Sequence, residues 1–384
     1  MMDHHRSERL ADLAQSDIRR MTRECDAVNG INLGQGICQL PTPEPVARGA
    51  IEAIQRGDAI YSYPEGILPL REAIAGKLAR DNGIVADPIE EIVVTSGASG
   101  AYTAALHALF DPGDGILLFE PYYGYHRNAA VVAGLIPQVA QLGGPSTKVT
   151  RELLEASIDE RTRAVMVCTP ANPSGKMWGR GELELLADVA REHDLIVLTD
   201  EIYECITYDG AEHISPATVS DLKDRTVTIM GLSKTFSITG WRLGYAVAPP
   251  PWARAMSVVH DLFYICAPTP LQHGVTAGFS LPQGFYEEMR AEYSRKREVL
   301  CEALSAVGLE PMWPQGAYYV LADMKKLGEP TASGACMELL KRVGVASVPG
   351  TAFFDGGAGE GCARFCFALS EELVTEAAQR LRNL

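Results

Sequence analysis

The strongest constraint on this chain is an alternation of short apolar runs with helical patterns. EIVVTS (91–96), GILLFE (115–120), RAVMVC (163–168), LIVLTD (195–200) and TVTIMG (226–231) are near-continuously apolar. Strands covered on both faces have that character. The clearest helix between them spans about 180–193, with Leu183, Leu186, Ala187 and Ala190 on one stripe. Alternating β and α elements predict a mostly parallel sheet with right-handed crossovers. The pattern changes near LPQG (281–284). A long amphipathic helix follows, with Tyr286, Met289, Tyr293, Leu300, Leu304 and Val307 on one stripe, then shorter strands and a closing helix at about 371–383. We therefore expect an α/β chain. A large domain over 45–284 carries the helix-flanked sheet, and residues 1–44 and 285–384 form a smaller α+β domain.

Charge narrows the partners. Thirty-four basic against 49 acidic side chains give a formal net charge of −15. Such a chain is a poor ligand for nucleic acid or an anionic membrane, and any anionic ligand needs a locally positive site. No apolar run approaches the roughly 18 residues of a membrane span. The N-terminal stretch MMDHHRSERLADLAQSD has no apolar core, so we read no secretory signal there. The nine cysteines are irregularly spaced without C-x-x-C, which suits reduced thiols in the cytoplasm. The eight histidines include neither H-x-H nor H-E-x-x-H, so no metal site is expected.

Ligands of open α/β sheets bind beyond the carboxyl ends of the strands. The residues at those ends are therefore the candidates. GASGA follows 91–96, PYYGY follows 115–120, and TPANPSGK follows 163–168. Asp200 closes its strand, with Tyr203 three residues on, and LSK after 226–231 ends in Lys234. Each element alone has a bland reading. Gly97-Ala98-Ser99-Gly100 is compatible with a phosphate cradle or a tight helix start. Tyr123 suits ring stacking or packing, and Asn172 before proline suits a turn. Asp200 needs some partner if buried. Lys234 suits a surface stem. Neither a Walker loop nor a G-x-S-x-G elbow occurs.

Together they describe one chemistry. A lysine in a cleft forms a Schiff base with an aldehyde. A carboxylate facing a pyridine nitrogen keeps it protonated and makes the ring an electron sink. An anion loop with Arg242 holds a phosphate, and a phenol and an amide hold a ring hydroxyl. The ligand that fits this inventory is pyridoxal 5′-phosphate.

At these residues the sequence resembles the class I/II aminotransferases of the fold-type-I pyridoxal-phosphate family. SKTFSITGWRLGY (233–245) is similar to the family's lysine motif, TDEIY (199–203) to its Asp-x-x-Tyr, and ANPSG (171–175) to its Asn-Pro-x-Gly loop. GINLGQGICQLPTP (30–43), YSYPEG (61–66), PQGAYYV (314–320), VASVPGTAFF (345–354) and ARFCFALSEE (363–372) follow in the family's order. The resemblance covers nearly the whole chain. It implies catalytic roles for Lys234, Asp200 and Tyr203. Lys234 binds the cofactor and moves the proton, Asp200 pairs with the pyridine nitrogen, and Tyr203 and Asn172 bond the ring hydroxyl. It implies that Tyr123 stacks on the ring and that Ala98, Ser99, Ser233 and Arg242 belong to the cofactor site, the phosphate lying on Ala98, Ser99 and Arg242. Tyr61 reaches a phosphate in the neighbouring subunit of a homodimer. Arg364, the Gly36 backbone and the Asn172 amide grip the substrate α-carboxylate.

There is one departure. Many members have serine three residues before the lysine, where this chain has Gly231. LGQG (33–36) is also seen in kynurenine and glutamine aminotransferases, which implies a neutral or aromatic amino donor. No basic residue is placed in the sequence so as to mark a dicarboxylate pocket. The expected activity is amino transfer from an L-amino acid to a 2-oxo acid. A lyase performing β-elimination on the same scaffold, of the cysteine-conjugate type, needs the same residues and stays open. A ligand-sensing module needs an appended DNA-binding domain; the chain begins about 30 residues before its first motif and is acidic. A nicotinamide dehydrogenase is disfavoured because no G-x-G-x-x-G follows the first strand.

Overall fold

The computed structural model describes residues 7–10, 13 and 17–384. Most of the N-terminal stretch in which no secretory signal is read lies outside them. Seven strands form the main sheet: β1 (Ile92–Ser96), β2 (Gly115–Glu120), β3 (Ile136–Gln141), β4 (Thr162–Cys168), β5 (Ile196–Asp200), β6 (Thr226–Gly231) and β7 (Leu243–Val247). Their spatial order is β1-β7-β6-β5-β4-β2-β3. β7 alone runs against the rest, paired antiparallel to both β1 and β6. The five apolar runs are strands, each within a residue or so of its expected bounds.

Two strands escape the apolar-run criterion. β3, IPQVAQ, is an edge strand bonded only to β2, with polar, partly exposed positions and a proline. Proline is tolerated at an edge because no neighbour needs its N–H. β7 is fully buried but follows β6 through one short connection, so no intervening helical pattern sets it off.

Helices cover both faces. Arg180–Glu192 buries Leu183, Leu186, Ala187 and Ala190 against strand residues such as Val165 and Val197. Gly97–Leu109 packs its alanine-rich face on the other side, among Ile116, Leu118 and Met166. The long helix is Gln283–Ala306; it buries Met289, Tyr293, Leu300 and Leu304, while Val307 caps it. Its neighbours are the closing helix Glu371–Leu381 and a four-stranded antiparallel sheet that includes Tyr319–Asp323 and Cys362–Cys366. Ser370 starts the closing helix by accepting the Leu373 N–H. Met21, Ile31 and Leu33 from the start of the chain join this second core beside Leu300, Val320 and Phe365.

All nine cysteines are free thiols, so no disulfide supports the fold. Among the described residues no helix is long and apolar enough to cross a membrane, and no group of three acidic, cysteine or histidine side chains is placed to hold a metal.

Candidate active site

The carboxyl ends of β1, β2, β4, β5 and β6 open on one cleft of about 380 Å³. Gly36, Tyr319 and Arg364 close its far side. β7 contributes through its start: because it runs the other way, its leading end lies at this edge, and Arg242 immediately precedes it.

One end of the cleft is built for an anion. The helix Gly97–Leu109 starts directly from β1, and Ser96 gives it no side-chain cap, so its first N–H groups remain available. Arg242 sits in left-handed backbone (φ 58°). Its Nη2 donates to Ser99 Oγ at 3.0 Å and its Nη1 to the Thr239 carbonyl at 3.2 Å. Two glycines make the approach possible. A Cβ at Gly97 would lie 2.7 Å from Arg242 Nη2, and one at Gly244 would lie 2.5 Å from the Ala98 nitrogen.

The centre holds the acid–base groups. Asp200 is buried and lies 2.9 Å from His126 Nε2 through its Oδ2, while Oδ1 accepts the Ile202 N–H at 3.2 Å. The imidazole is wedged between Tyr102 and Tyr123, with ring centroids 5.1 and 5.2 Å away. Tyr123 also stacks on Tyr125 at 5.1 Å. The Tyr203 and Tyr319 hydroxyls lie 3.3 Å apart. Burial raises the pKa of Tyr203 far above the ordinary tyrosine value, so it stays a protonated donor at neutral pH.

Lys234 stands on the short helix Leu232–Thr235 that leaves β6. Its Nζ donates to the Gly36 carbonyl at 3.2 Å and lies 5.5 Å from the Tyr318 ring centroid. Burial pulls its pKa below the ordinary lysine value, which favours the neutral, nucleophilic amine. Gly36 must be glycine here, since a Cβ would lie 1.8 Å from the Tyr319 hydroxyl oxygen.

Arg364 is 1% exposed. It donates to Asn172 Oδ1 at 2.8 Å and to the Gly34 carbonyl at 2.6 Å. The Tyr319 and Phe353 rings flank it at 4.2 and 4.7 Å. Among the described residues it forms no ion pair with Glu371 or Glu372, and its Nε has no partner.

Ala98, Ser99, Tyr123, Asn172, Asp200, Tyr203, Ser233, Lys234, Arg242, Gly36 and Arg364 thus all line one cleft. Tyr61 does not; it is 76% exposed, away from this chain's cleft. The serine missing at 231 has a structural reason: a Cβ there would lie 2.3 Å from Ile202 Cδ1, so Ile202 fills the space. Among the cleft residues that the sequence reading does not single out, three bear on its chemistry. His126 follows Tyr123 by three residues, and only its helical placement turns it to Asp200. Tyr319 lies inside a recognised motif without a distinguishing pattern. Arg19, from the helix Asp17–Ala27, reaches the mouth and supplies a basic residue that the sequence does not place.

The donor set fits pyridoxal phosphate. An uncapped helix start and an arginine meet at a glycine-lined cradle, and a half-buried lysine without a carboxylate partner shares the cleft with a buried aspartate. The fold and the cleft are those of a fold-type-I pyridoxal-phosphate enzyme. Residues 28–381 match the model of aminotransferase class I and II, and the chain belongs to that family. It is 35% identical to an aromatic-amino-acid aminotransferase of Thermococcus litoralis, across 98% of this chain and 97% of the relative. It is 36% identical to an aspartate/prephenate aminotransferase of Thermus thermophilus, across 93% and 91%. The solved structure of YbdL from Escherichia coli, described as a methionine aminotransferase, superposes with a TM-score of 0.94 at 30% identity, covering 99% of this chain and 100% of that one. The chain is therefore a pyridoxal-phosphate-dependent aminotransferase. None of these names speaks for the elimination chemistry that the sequence leaves open.

Proposed function

We propose that this enzyme transfers the amino group of a neutral or aromatic L-amino acid to a 2-oxo acid, with each cleft residue in the role its chemistry suits. Bound pyridoxal phosphate supplies the electron sink that acidifies the Cα–H bond of an amino acid. Arg242, Ser99 and the N–H groups at Ala98 and Ser99 bind the phosphate, and Ser233 helps wall the cofactor pocket. Asp200, oriented by His126, holds a proton on the pyridine nitrogen. Tyr203 and Asn172 bond the ring hydroxyl, and Tyr123 covers the ring face. Lys234 Nζ would hold the cofactor and, as a free amine, would take up and return the proton at the substrate Cα. Arg364 holds the α-carboxylate with the Gly36 N–H and the Asn172 amide; its guanidinium gives up internal oxygens to do so.

The observation that carries this reading is the half-buried Lys234 amine in one cleft with the Asp200–His126 pair. The names of the relatives, aromatic, aspartate/prephenate and methionine, support amino acids of varied side chain. We assign 45–284 to the cofactor-binding unit, and 1–44 with 285–384 to the unit that brings Arg364.

The proposal extends to a cytoplasmic homodimer. Free thiols suit a reducing compartment. Ile60, Tyr61, Tyr63 and Leu262 leave large apolar side chains in solvent, which a second copy would cover, bringing Tyr61 toward its phosphate.

Borohydride treatment of the purified yellow enzyme should fix the cofactor to a peptide containing Lys234. A panel of amino acids should then bleach untreated enzyme and release 2-oxo acids. Label on another lysine, or no 2-oxo acid from any amino acid, refutes the assignment.

A further inference from the structure

The turn that opens the anion-binding helix is held by a residue that does not line the cleft. β1 is an edge strand, paired on one side only, with β7. On its open side the Val94 N–H donates to the Glu65 carbonyl at 3.0 Å. The Ser96 N–H, two residues on, donates to His260 Nε2 at 3.0 Å. An imidazole thus takes the place that a strand carbonyl would fill. Here the chain changes direction. Ser96 (φ −70°, ψ 67°) and Gly97 (φ 74°) leave the extended conformation and start Gly97–Leu109. The N–H groups assigned to the phosphate, at Ala98 and Ser99, follow at once. Thr95 Oγ1 ties one end of the turn by donating to the Gly97 carbonyl at 3.0 Å, and His260 ties the other.

His260 is fully buried on the helix Pro250–Tyr264, which packs on Gly97–Leu109. Tyr264 lies beside its ring, with centroids 5.2 Å apart. One turn earlier on the same helix, Ser257 Oγ donates to Glu65 Oε1 at 2.7 Å, so this helix steadies both groups that complete the β1 edge. A ring nitrogen that accepts a hydrogen bond carries no proton, so the imidazole is neutral with its hydrogen on Nδ1. Burial favours that state by lowering the pKa, against the opposing pull of the Pro64 carbonyl and the Asp261 and Glu65 carboxylates. Nδ1 is buried and makes no well-aligned hydrogen bond. Burying it costs free energy that a phenylalanine ring would avoid. What the imidazole adds over such a ring is the acceptor for Ser96.

We infer that His260 is a positioning residue for the cofactor phosphate: by accepting the Ser96 N–H, its Nε2 fixes the turn that aims the Ala98 and Ser99 N–H groups. The inference rests on the phosphate site proposed above. The measurement is the dissociation constant of cofactor-free protein for pyridoxal 5′-phosphate and for pyridoxal, which lacks the phosphate. The preference for the first over the second isolates that end of the ligand, and a thermal melt of the cofactor-free protein monitors folding. His260→Phe keeps a buried ring and removes the acceptor. His260→Gln keeps an acceptor and removes the ring. The preference should fall at least about fivefold in His260→Phe and stay within about twofold of wild type in His260→Gln. A role in packing alone predicts the reverse order. An unchanged preference in His260→Phe, or a lost one in folded His260→Gln, overturns the inference. If His260→Phe does not fold, His260→Gln decides by the same criterion. A wild-type protein that binds both ligands equally overturns the phosphate site itself, and the inference with it.

Discussion

Replacing Arg364 with lysine keeps the positive charge and removes the fork. The guanidinium now spans two acceptors in different parts of the chain, Asn172 Oδ1 at 2.8 Å and the Gly34 carbonyl at 2.6 Å. A lysine ammonium on a shorter, non-planar head cannot offer two parallel N–H bonds to one carboxylate. The variant therefore loses about one charge-assisted bond to the substrate, worth roughly 1.5–3 kcal/mol. At 1.36 kcal/mol per factor of ten, half-saturation should rise roughly 10- to 150-fold. The limiting rate should move far less, because the bond forms before the chemical step as well as during it. One internal acceptor also loses its donor, at a cost of about 1–3 kcal/mol in stability. The assay is the rate of the amino-donor half-reaction against amino-acid concentration, beside a thermal melt. A folded variant with unchanged half-saturation shows that the carboxylate is held elsewhere. A variant that melts far lower yet binds normally shows that Arg364 is only a brace between Asn172 and Gly34.

Three further outcomes follow. Burial depresses the Lys234 pKa below its ordinary value of 10.5, so folding of cofactor-free enzyme disfavours the charged amine. That penalty is full at low pH and fades as pH rises through the depressed value to the ordinary one. Cofactor-free Lys234→Met should thus melt above wild type at neutral pH, with the gap closing in alkali; a gap that widens with pH contradicts this. His126→Phe strands the buried Asp200 carboxylate without its 2.9 Å partner. Turnover should drop about tenfold or more at similar half-saturation, given roughly 1.5–3 kcal/mol for a hydrogen bond to a charge; near-native turnover would make His126 mere packing. Gly231→Ser collides with Ile202 and should lower the melting temperature, and adding Ile202→Ala should recover part of the loss. A double variant no more stable than the single one would show that the space is not shared.

Sequence patterns report what repeats locally. Runs such as LIVLTD and TVTIMG lie between helices on both faces and bury every position but Ile196, so hydrophobicity alone exposes them. IPQVAQ borders solvent along one side and so lacks a continuous apolar signal. Site residues that leave strand ends are legible for a similar reason, because the parallel sheet gathers those ends. The pairings are not legible. His126 meets Asp200 across 74 residues, and Arg364 meets Asn172 across 192. No spacing rule encodes such contacts, since they depend on how separate elements dock. Arg19 is hidden for the same reason: it stands in a basic run, DIRRMTR, and only docking of the helix decides which of its arginines faces the cleft.

The reversed strand β7 has a consequence for which length changes this chain can tolerate. Gly231 and Gly244 are opposite each other in the β6–β7 register, and the connection between those strands carries both Lys234 and Arg242. The span between the lysine amine and the anion-binding guanidinium is therefore set by a single hairpin-like loop. One inserted residue there adds up to about 3.3 Å of chain. That is enough to misplace Arg242 against Ser99 or to slip β7 between its two neighbours. The exposed turn at 328–330, ahead of the helix Ala332–Val343, supports no cleft residue and has room to grow or shrink. Libraries of random insertions in this gene should be depleted across 232–242 and populated around 329, even though both only connect larger elements.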